Sequence, residues 1–380
     1  MLSFQKCPMI GGIEAGSLRT TGTMFLRHSA ITGRVFLGGA EIGGNVECDD
    51  TTLEGTDGDA LIAHRLTVTG DLFLRDGFSA KGAVRLLGAR IGGDVDCSGA
   101  TLAGSNGRAL ATDRMTVTGG LFLREGFSAT GKIDFGHATV GVLFDDAASW
   151  PSHGQLHLSG FIYESLGPAS PFRAQERLEW LSRRQDRGTF DPQPYEQLAK
   201  VLKAQGHGSD ARAVLIAKER DDLRSKRAGA KSIGDWFGTG WLMLMDRLAR
   251  FGYEPWRVLP YAALFWAVGW VVFNDAERHH AMVPAKERVY MDPKYQTGGL
   301  PPEYPRFNAA IYSADVFFPF VDLHQETEWR PATERVRPDQ TDFDVSFGVI
   351  AKVYTWLHIA LGWFLSGIGV ATVTDLVKRD

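Results

Sequence analysis

The sequence predicts a mainly β chain: an N-terminal β-solenoid (β-helix) with a 49-residue internal repeat, a small α-helical adaptor, and a C-terminal region of two transmembrane helices. Three observations carry this. The segment from Ile31 to Leu53 returns from Ala80 to Leu102, and ALIAHRLTVTGDLFLRDGFSA from Ala60 returns as ALATDRMTVTGGLFLREGFSA from Ala109. Glycine, 44 of 380 residues, crowds into the first 140 positions without a G-x-y period, which excludes collagen. Near the C-terminus, residues 258–274 and 353–373 contain no Asp, Glu, Lys or Arg.

The repeat defines the solenoid, residues 20–160. Inside each copy apolar residues alternate over very short runs, Val35/Leu37, Ala40/Ile42 and Val46/Cys48, then Leu53. An 11-residue sub-spacing links Val35 to Val46, Leu37 to Cys48 and Ile42 to Leu53. Such runs are too short for free-standing strands, and they read as rungs stacked on one another. The expected interior is Val35, Leu37, Ile42, Val46 and Cys48, and one repeat later Val84, Leu86, Ile91, Val95 and Cys97. Glycine pairs such as Gly43-Gly44 and Gly92-Gly93 are expected to turn corners or admit close backbone. A degraded copy starts at Ala129, and a partial one, TTGTMFLRHSA, precedes the first. An antiparallel sandwich is the rival, but it has no need of a 49-residue identity.

Three cysteines, Cys7, Cys48 and Cys97, form neither a disulfide framework nor a C-x-x-C. Cys48 and Cys97 share one repeat position. They are either a stacked metal or redox pair or, far more commonly for such a position, two thiols filling the coil interior. His64 and Asp113 also share one position, which is therefore not held to one chemistry. The start, MLSFQKCPMIGGIEAG, has no apolar core of signal-peptide length, so the solenoid is expected in the cytoplasm. The net charge of -4 argues against a nucleic-acid partner.

Residues 170–230 form the adaptor: three helices, with Ser170 expected to cap the first and Ser209 the last. Residues 235–252 mix tryptophan and large aliphatics with Arg247 and Arg250, the composition of an interfacial amphipathic helix. The first span is residues 256–274 and the second 353–375, whose only ionisable interior groups are Tyr354 and His358. Between them, residues 275–352 carry thirteen Asp or Glu against nine Lys or Arg. Basic residues flank the first span and the C-terminus, so both termini are expected in the cytoplasm and the loop outside, in the inner (cytoplasmic) membrane. Within the loop, residues 307–323 are apolar but interrupted by Asp315 and Pro319, and read either as a re-entrant segment or as a packed loop helix.

The residues most like a site lie in this loop: His279, His280, Asp315, Asp322, His324, Glu326 and Glu328. In an extended segment Asp322, His324 and Glu326 share one face and could ligate zinc or manganese, as could a solvated strand edge that ligates nothing. Asp315, if the segment returns into the bilayer, is the pore-lining candidate. No metalloprotease helix, nucleophile elbow, phosphate loop or dinucleotide fingerprint occurs, and no cofactor is expected.

Taken together, ARIGGDVDCSGATL and LFLREGFSA, FDPQPYEQLAKVL and GSDARAVLIAKE, YSADVFFPFVDLHQETEWRP and LGWFLSGIGVATVTDLVKR resemble a family of bacterial membrane proteins. That family is common in actinobacteria and carries the label "membrane-associated oxidoreductase". The solenoid alone resembles, more distantly, the polymer-forming bactofilins. The hairpin between two spans is similar in layout to two-span cation channels, without a T-V-G-Y-G filter. The resulting expectation is a membrane-tethered, non-enzymatic scaffold that self-associates or binds a protein through its solenoid. Its alternatives are an oligomeric pore or transporter subunit and an oxidoreductase.

Overall fold

The computed structural model describes residues 2–185, 188–291, 300, 302–334 and 345–379. The chain divides into two compact units, Met1–Ala230 and Lys231–Asp380.

The first unit is a parallel β-solenoid closed by helices. Among the described residues its short strands stack in two parallel sheets of twelve and nine strands. One column of register partners runs Met24, Val46, Leu72, Val95, Leu121, Leu143, so successive coils lie 22, 26, 23, 26 and 22 residues apart. The 49-residue repeat is therefore two coils. The longer coils owe their length to Thr52–Ile62 and Thr101–Ala111, eleven residues each, where the intervening strand Ser79–Arg85 has seven. The extra residues bulge outward, Gly55–Asp59 in one copy and Gly104–Arg108 in the other, with register shifts on either side.

The ten interior positions expected from the period of two are all buried. Left-handed backbone recurs at the coil turns, but Asp50, Arg65, Asp76, Arg114, Glu125 and His137 take it as well as Gly39, Gly88 and Gly99. The glycine pairs serve a different need. A Cβ on Gly43 would lie 2.6 Å from the carbonyl oxygen of Thr21, and one on Gly92 2.3 Å from that of Thr69. They sit in bends between successive strands and are needed there to admit neighbouring backbone, not for a left-handed φ.

Helices α1 (Ala174–Ser182), α2 (Gln193–Ala204) and α3 (Gly208–Gly229) close the C-terminal end of the coil. Parallel strands leave edge amides and carbonyls that need partners. Three glutamines of this cap supply them. Gln193 accepts from Gly160 N and donates to Phe161 O, Gln197 donates to Tyr163 O, and Gln205 accepts from Leu166 N and donates to Leu166 O. Neither expected serine cap is used. Asp210 caps α1 through Ala174 N, while Ser170 Oγ accepts from Asp145 N and donates to Leu143 O. Helix α3 starts at Gly208, which places Ser209 inside it.

The second unit begins with α4 (Ile233–Ala249), entered through a capping box of Ser232 and Asp235. Helix α5 (Val258–Arg278) follows, then a two-stranded ribbon (Met282–Pro284 with Trp329–Pro331) and α6 (Glu287–Tyr290). Short helices α7 (Ala309–Phe317) and α8 (Gln325–Glu328) precede α9 (Val345–Arg379). Residues 255–278 and 346–374 are long and apolar enough to cross a membrane. They are not core helices of the usual soluble kind, because they leave Leu259, Leu264, Val271, Trp356, Leu357, Trp363 and Val370 exposed. Helix α9 reaches further back than the expected 353–375. Lys352, the only charge in its first three turns, does not stop it, because its ammonium sits 5.9 Å over the Trp356 ring.

Candidate functional site

The polar side chains with the most defined geometry in the second unit lie where α5, α7 and α9 meet. Asn308 starts α7, its side chain accepting from Ala310 N and Ile311 N. The helix ends at Phe317, and Phe318, which precedes Pro319, is extended, as the proline ring demands. Helix α7 is seated by two notches. A Cβ on Gly269 of α5 would lie 2.3 Å from Ser313 Oγ and 2.6 Å from the His358 ring, and one on Gly362 of α9 would lie 1.8 Å from the Phe317 carbonyl oxygen. Any larger residue at either position would push α7 out.

The junction satisfies its own polar groups. Ser313 Oγ donates to Trp266 O at 2.8 Å, and Trp266 Nε1 donates to Ala310 O at 3.0 Å. His358, fully buried, places Nε2 3.1 Å from Ser313 Oγ and 3.2 Å from Ser313 O, and Nδ1 3.3 Å from the Tyr354 hydroxyl. The tautomer protonated on Nε2, with Tyr354 donating to Nδ1, completes every bond. Aromatic edges of Phe273 and Phe317 close around the imidazole. The sequence singled out Tyr354 and His358 as ionisable groups in a span. Their partner Ser313 and the Gly269 notch carried no sequence signal, since the contacts join segments 44 or more residues apart.

Asp315 is buried, one carboxylate oxygen accepting from Leu323 N at 2.6 Å and the other from Glu326 N at 2.7 Å. It clasps the chain that returns from α7. Gln325 adds a second tie, its side chain accepting from Asn308 N. Asp322 and His324 are exposed and pair with each other at 2.7 Å. His324 is left-handed at the entry to α8, so this stretch is a turn rather than an extended strand, and alternate residues do not share a face. Burial, then the charges of Asp315 and Asp322, hold the Glu326 carboxyl above its ordinary range. The remaining candidates lie elsewhere: His279 stacks on Phe347, and Glu328 pairs with Lys286. Among the described residues no group of three His, Cys, Asp or Glu is placed to hold a metal.

No protein-family model, curated protein or solved structure matches the chain.

In the solenoid, Cys48 and Cys97 share a column, but Leu74 lies between them because the repeat is two coils. At roughly 4.8 Å per coil the backbones are about 10 Å apart, too far for a disulfide. Burial, reinforced by neighbouring carboxylates, pushes both thiols up to about 12. These are interior-filling side chains with no thiolate to offer a metal or an oxidant.

The outer wall of the same column is a ladder. Arg27 pairs with Glu47 and Asp49, and Arg75 with Asp49 and Asp96. Arg75 lies over Phe73 at 4.1 Å, and Arg124 over Phe122 and Phe144 at 5.0 and 5.5 Å. Phe122 and Phe144 stack at 4.1 Å. Each F-L-R triplet thus places its ring and guanidinium on one face, a regular surface of aromatic rings and mutually paired charges.

Proposed function

We propose that the chain is a membrane-tethered, non-enzymatic scaffold whose solenoid stands on the cytoplasmic face of the inner membrane and binds a protein partner through its wall. The observation that carries this reading is the ladder: a regular face ordered by its own ion pairs and ring contacts, in a unit whose described residues assemble no metal cluster and whose repeat-position thiols, Cys48 and Cys97, are buried. The glutamine-sealed C-terminal end argues against open-ended stacking through that end and in favour of lateral binding. The tether is α5 and α9, with both termini cytoplasmic on the strength of the basic flanks. Helix α4 is the interfacial element, since Ile233, Trp236, Phe237 and Trp241 form an exposed apolar stripe.

A second reading, an oligomeric pore subunit, is favoured by one observation: α7 reaches between the two long helices, its Phe317 packing with Val258 and Phe265 of α5 and Leu365 of α9. That placement suits a re-entrant segment. An oxidoreductase has only the label of the resembling family behind it.

Purification of the full chain in mild detergent, with absorption spectrum, metal content and oligomeric mass measured together, tests the three. A cofactor-free protein that crosslinks to a defined partner through Arg75 or Arg124, and ceases to when these arginines become glutamate, supports the scaffold. A defined ring of subunits that passes cations in vesicles would overturn it for the pore. A stoichiometric flavin, haem or metal would overturn it for the enzyme.

A further inference from the structure

On the α4 side of the second unit, the first turns of α5 and the last apolar turns of α9 stand apart. The gap opens where α9 carries its small residues Ser366 and Gly369. It is a groove of about 380 Å³, walled by Trp256, Leu259 and Val373 and bounded by Phe318 at the end of α7. That volume is ligand-sized, and its lining is almost entirely carbon. Leu259 and Val373 are 68% and 50% exposed, so the groove opens sideways onto the surface that the two helices offer to lipid. A Cβ on Gly369 would meet nothing within 4 Å, so the concavity is real space at this position.

One end of the groove adjoins a charged turn. Pro255, Trp256 and Val258 line the groove there, Arg257 lies between them in the chain, and Arg257 and Arg250 share one carboxylate, Glu254, at 3.5 and 2.9 Å. Two guanidinium groups on one acid leave one positive charge beside an apolar slot. That is the pattern of a bound amphiphile with an anionic head. Unfilled, such a slot between bilayer-spanning helices would forfeit the dispersion contacts of its walls.

We propose that this groove holds an acyl chain of an anionic phospholipid, with the headgroup phosphate against Arg250 and Arg257. The proposal rests on the membrane-spanning reading of α5 and α9.

The test is phospholipid retention. The full chain is purified in mild detergent, exchanged extensively, and its bound lipid extracted and identified by mass spectrometry. Wild type is expected to retain a phospholipid enriched in anionic headgroups over the source membrane. Gly369→Leu, which fills the groove from a helix-favouring residue, is expected to lose it while oligomeric mass and membrane integration stay unchanged. Arg257→Gln is expected to keep a lipid but lose the anionic enrichment. A lipid-free wild type, or equal retention by Gly369→Leu, would overturn the groove assignment. So would a Gly369→Leu chain whose oligomeric mass changes, since a second copy would then be the occupant. Alkaline carbonate extraction separates the two failures: release without detergent sinks the membrane reading itself, whereas a membrane-integral chain without retained lipid sinks only the groove.

Discussion

Arg177 is the side chain on which closure of the solenoid turns. It projects from α1 toward the end of the coil and meets Asp145 through two parallel bonds of 2.7 and 2.8 Å, with 0% of the arginine side chain and 3% of the aspartate side chain exposed. Its third donor, Nε, goes to Pro171 O, and the guanidinium lies between Trp150 and Trp180. Trp150 Nε1 also donates to Asp145. Arg177→Met removes the cation and leaves the carboxylate buried with one indole donor, a loss of about 3–5 kcal/mol. At two to four degrees per kcal/mol for a unit of this size, the melting temperature should fall by roughly 6–20 °C. Because repeat units open locally, the helical circular dichroism of the 1–230 unit should melt before the strand signal does. The double variant Arg177→Met with Asp145→Leu should recover most of the loss, since no orphaned charge remains. A single variant within about 1 kcal/mol of wild type, or a double variant no better than the single, would refute this account.

Three further outcomes follow from the solenoid. A thiol reagent at pH 8 should label exposed Cys7 at once but reach Cys48 and Cys97 only on unfolding; rapid labelling of all three in the native state would contradict their burial. Burial pushes the Asp134 carboxyl up, but hydrogen bonds from His157, Gly136 and Lys132 outweigh it, so the group sits below its ordinary 3.8. Asp134→Asn should therefore cost stability at neutral pH, with the gap to wild type closing as pH falls below about 3.8 through the depressed folded value; a gap that widens on acidification would show the sign to be wrong. Gly104→Ala would set a Cβ 2.0 Å from the Arg108 carbonyl oxygen, so denaturant melts should show a loss of about 1–3 kcal/mol, and an unchanged midpoint would mean the bulge can relax.

The solenoid was legible because each rung obeys the same local rule. A strand of two residues still alternates inside and outside, and identity at an offset of 49 marks a repeating architecture, although the coil that stacks directly, 22 to 26 residues long, is only half of that repeat. Two things were not legible. Glycine in a single sequence does not say whether φ or space requires it: Gly39 is left-handed, as is Asp50, while Gly43 and Gly92 answer to the carbonyls of Thr21 and Thr69. The sealing of the coil end was equally hidden. Gln193, Gln197 and Gln205 read as an ordinary polar helix face, and only the fold sets them against the edge of the last coil.

In the second unit apolar length is a local property and was readable, whereas the fit of α7 depends on single atoms contributed from three distant segments. That fit decides what Asp315 can do. A carboxylate lining an aqueous path keeps lone pairs free for water and ions. Here each oxygen already accepts a backbone N–H, from Leu323 and Glu326, while Ser313 donates to Trp266 O and Asn308 accepts from the first turn of α7. The junction of α5, α7 and α9 is thus a wedge tied by its own hydrogen bonds. The side chains left free lie beyond it, with Phe320 73% exposed and Val321 and Leu323 beside it. Asp315→Asn keeps one acceptor oxygen and turns its amide group toward the other backbone N–H, which then has no partner. The expected result is a loss of about 1–3 kcal/mol in detergent melts, with cation flux through reconstituted vesicles unchanged from wild type. An Asp315→Asn protein that melts with wild type but alters cation flux would place the carboxylate in a conducting path and sink the clasp.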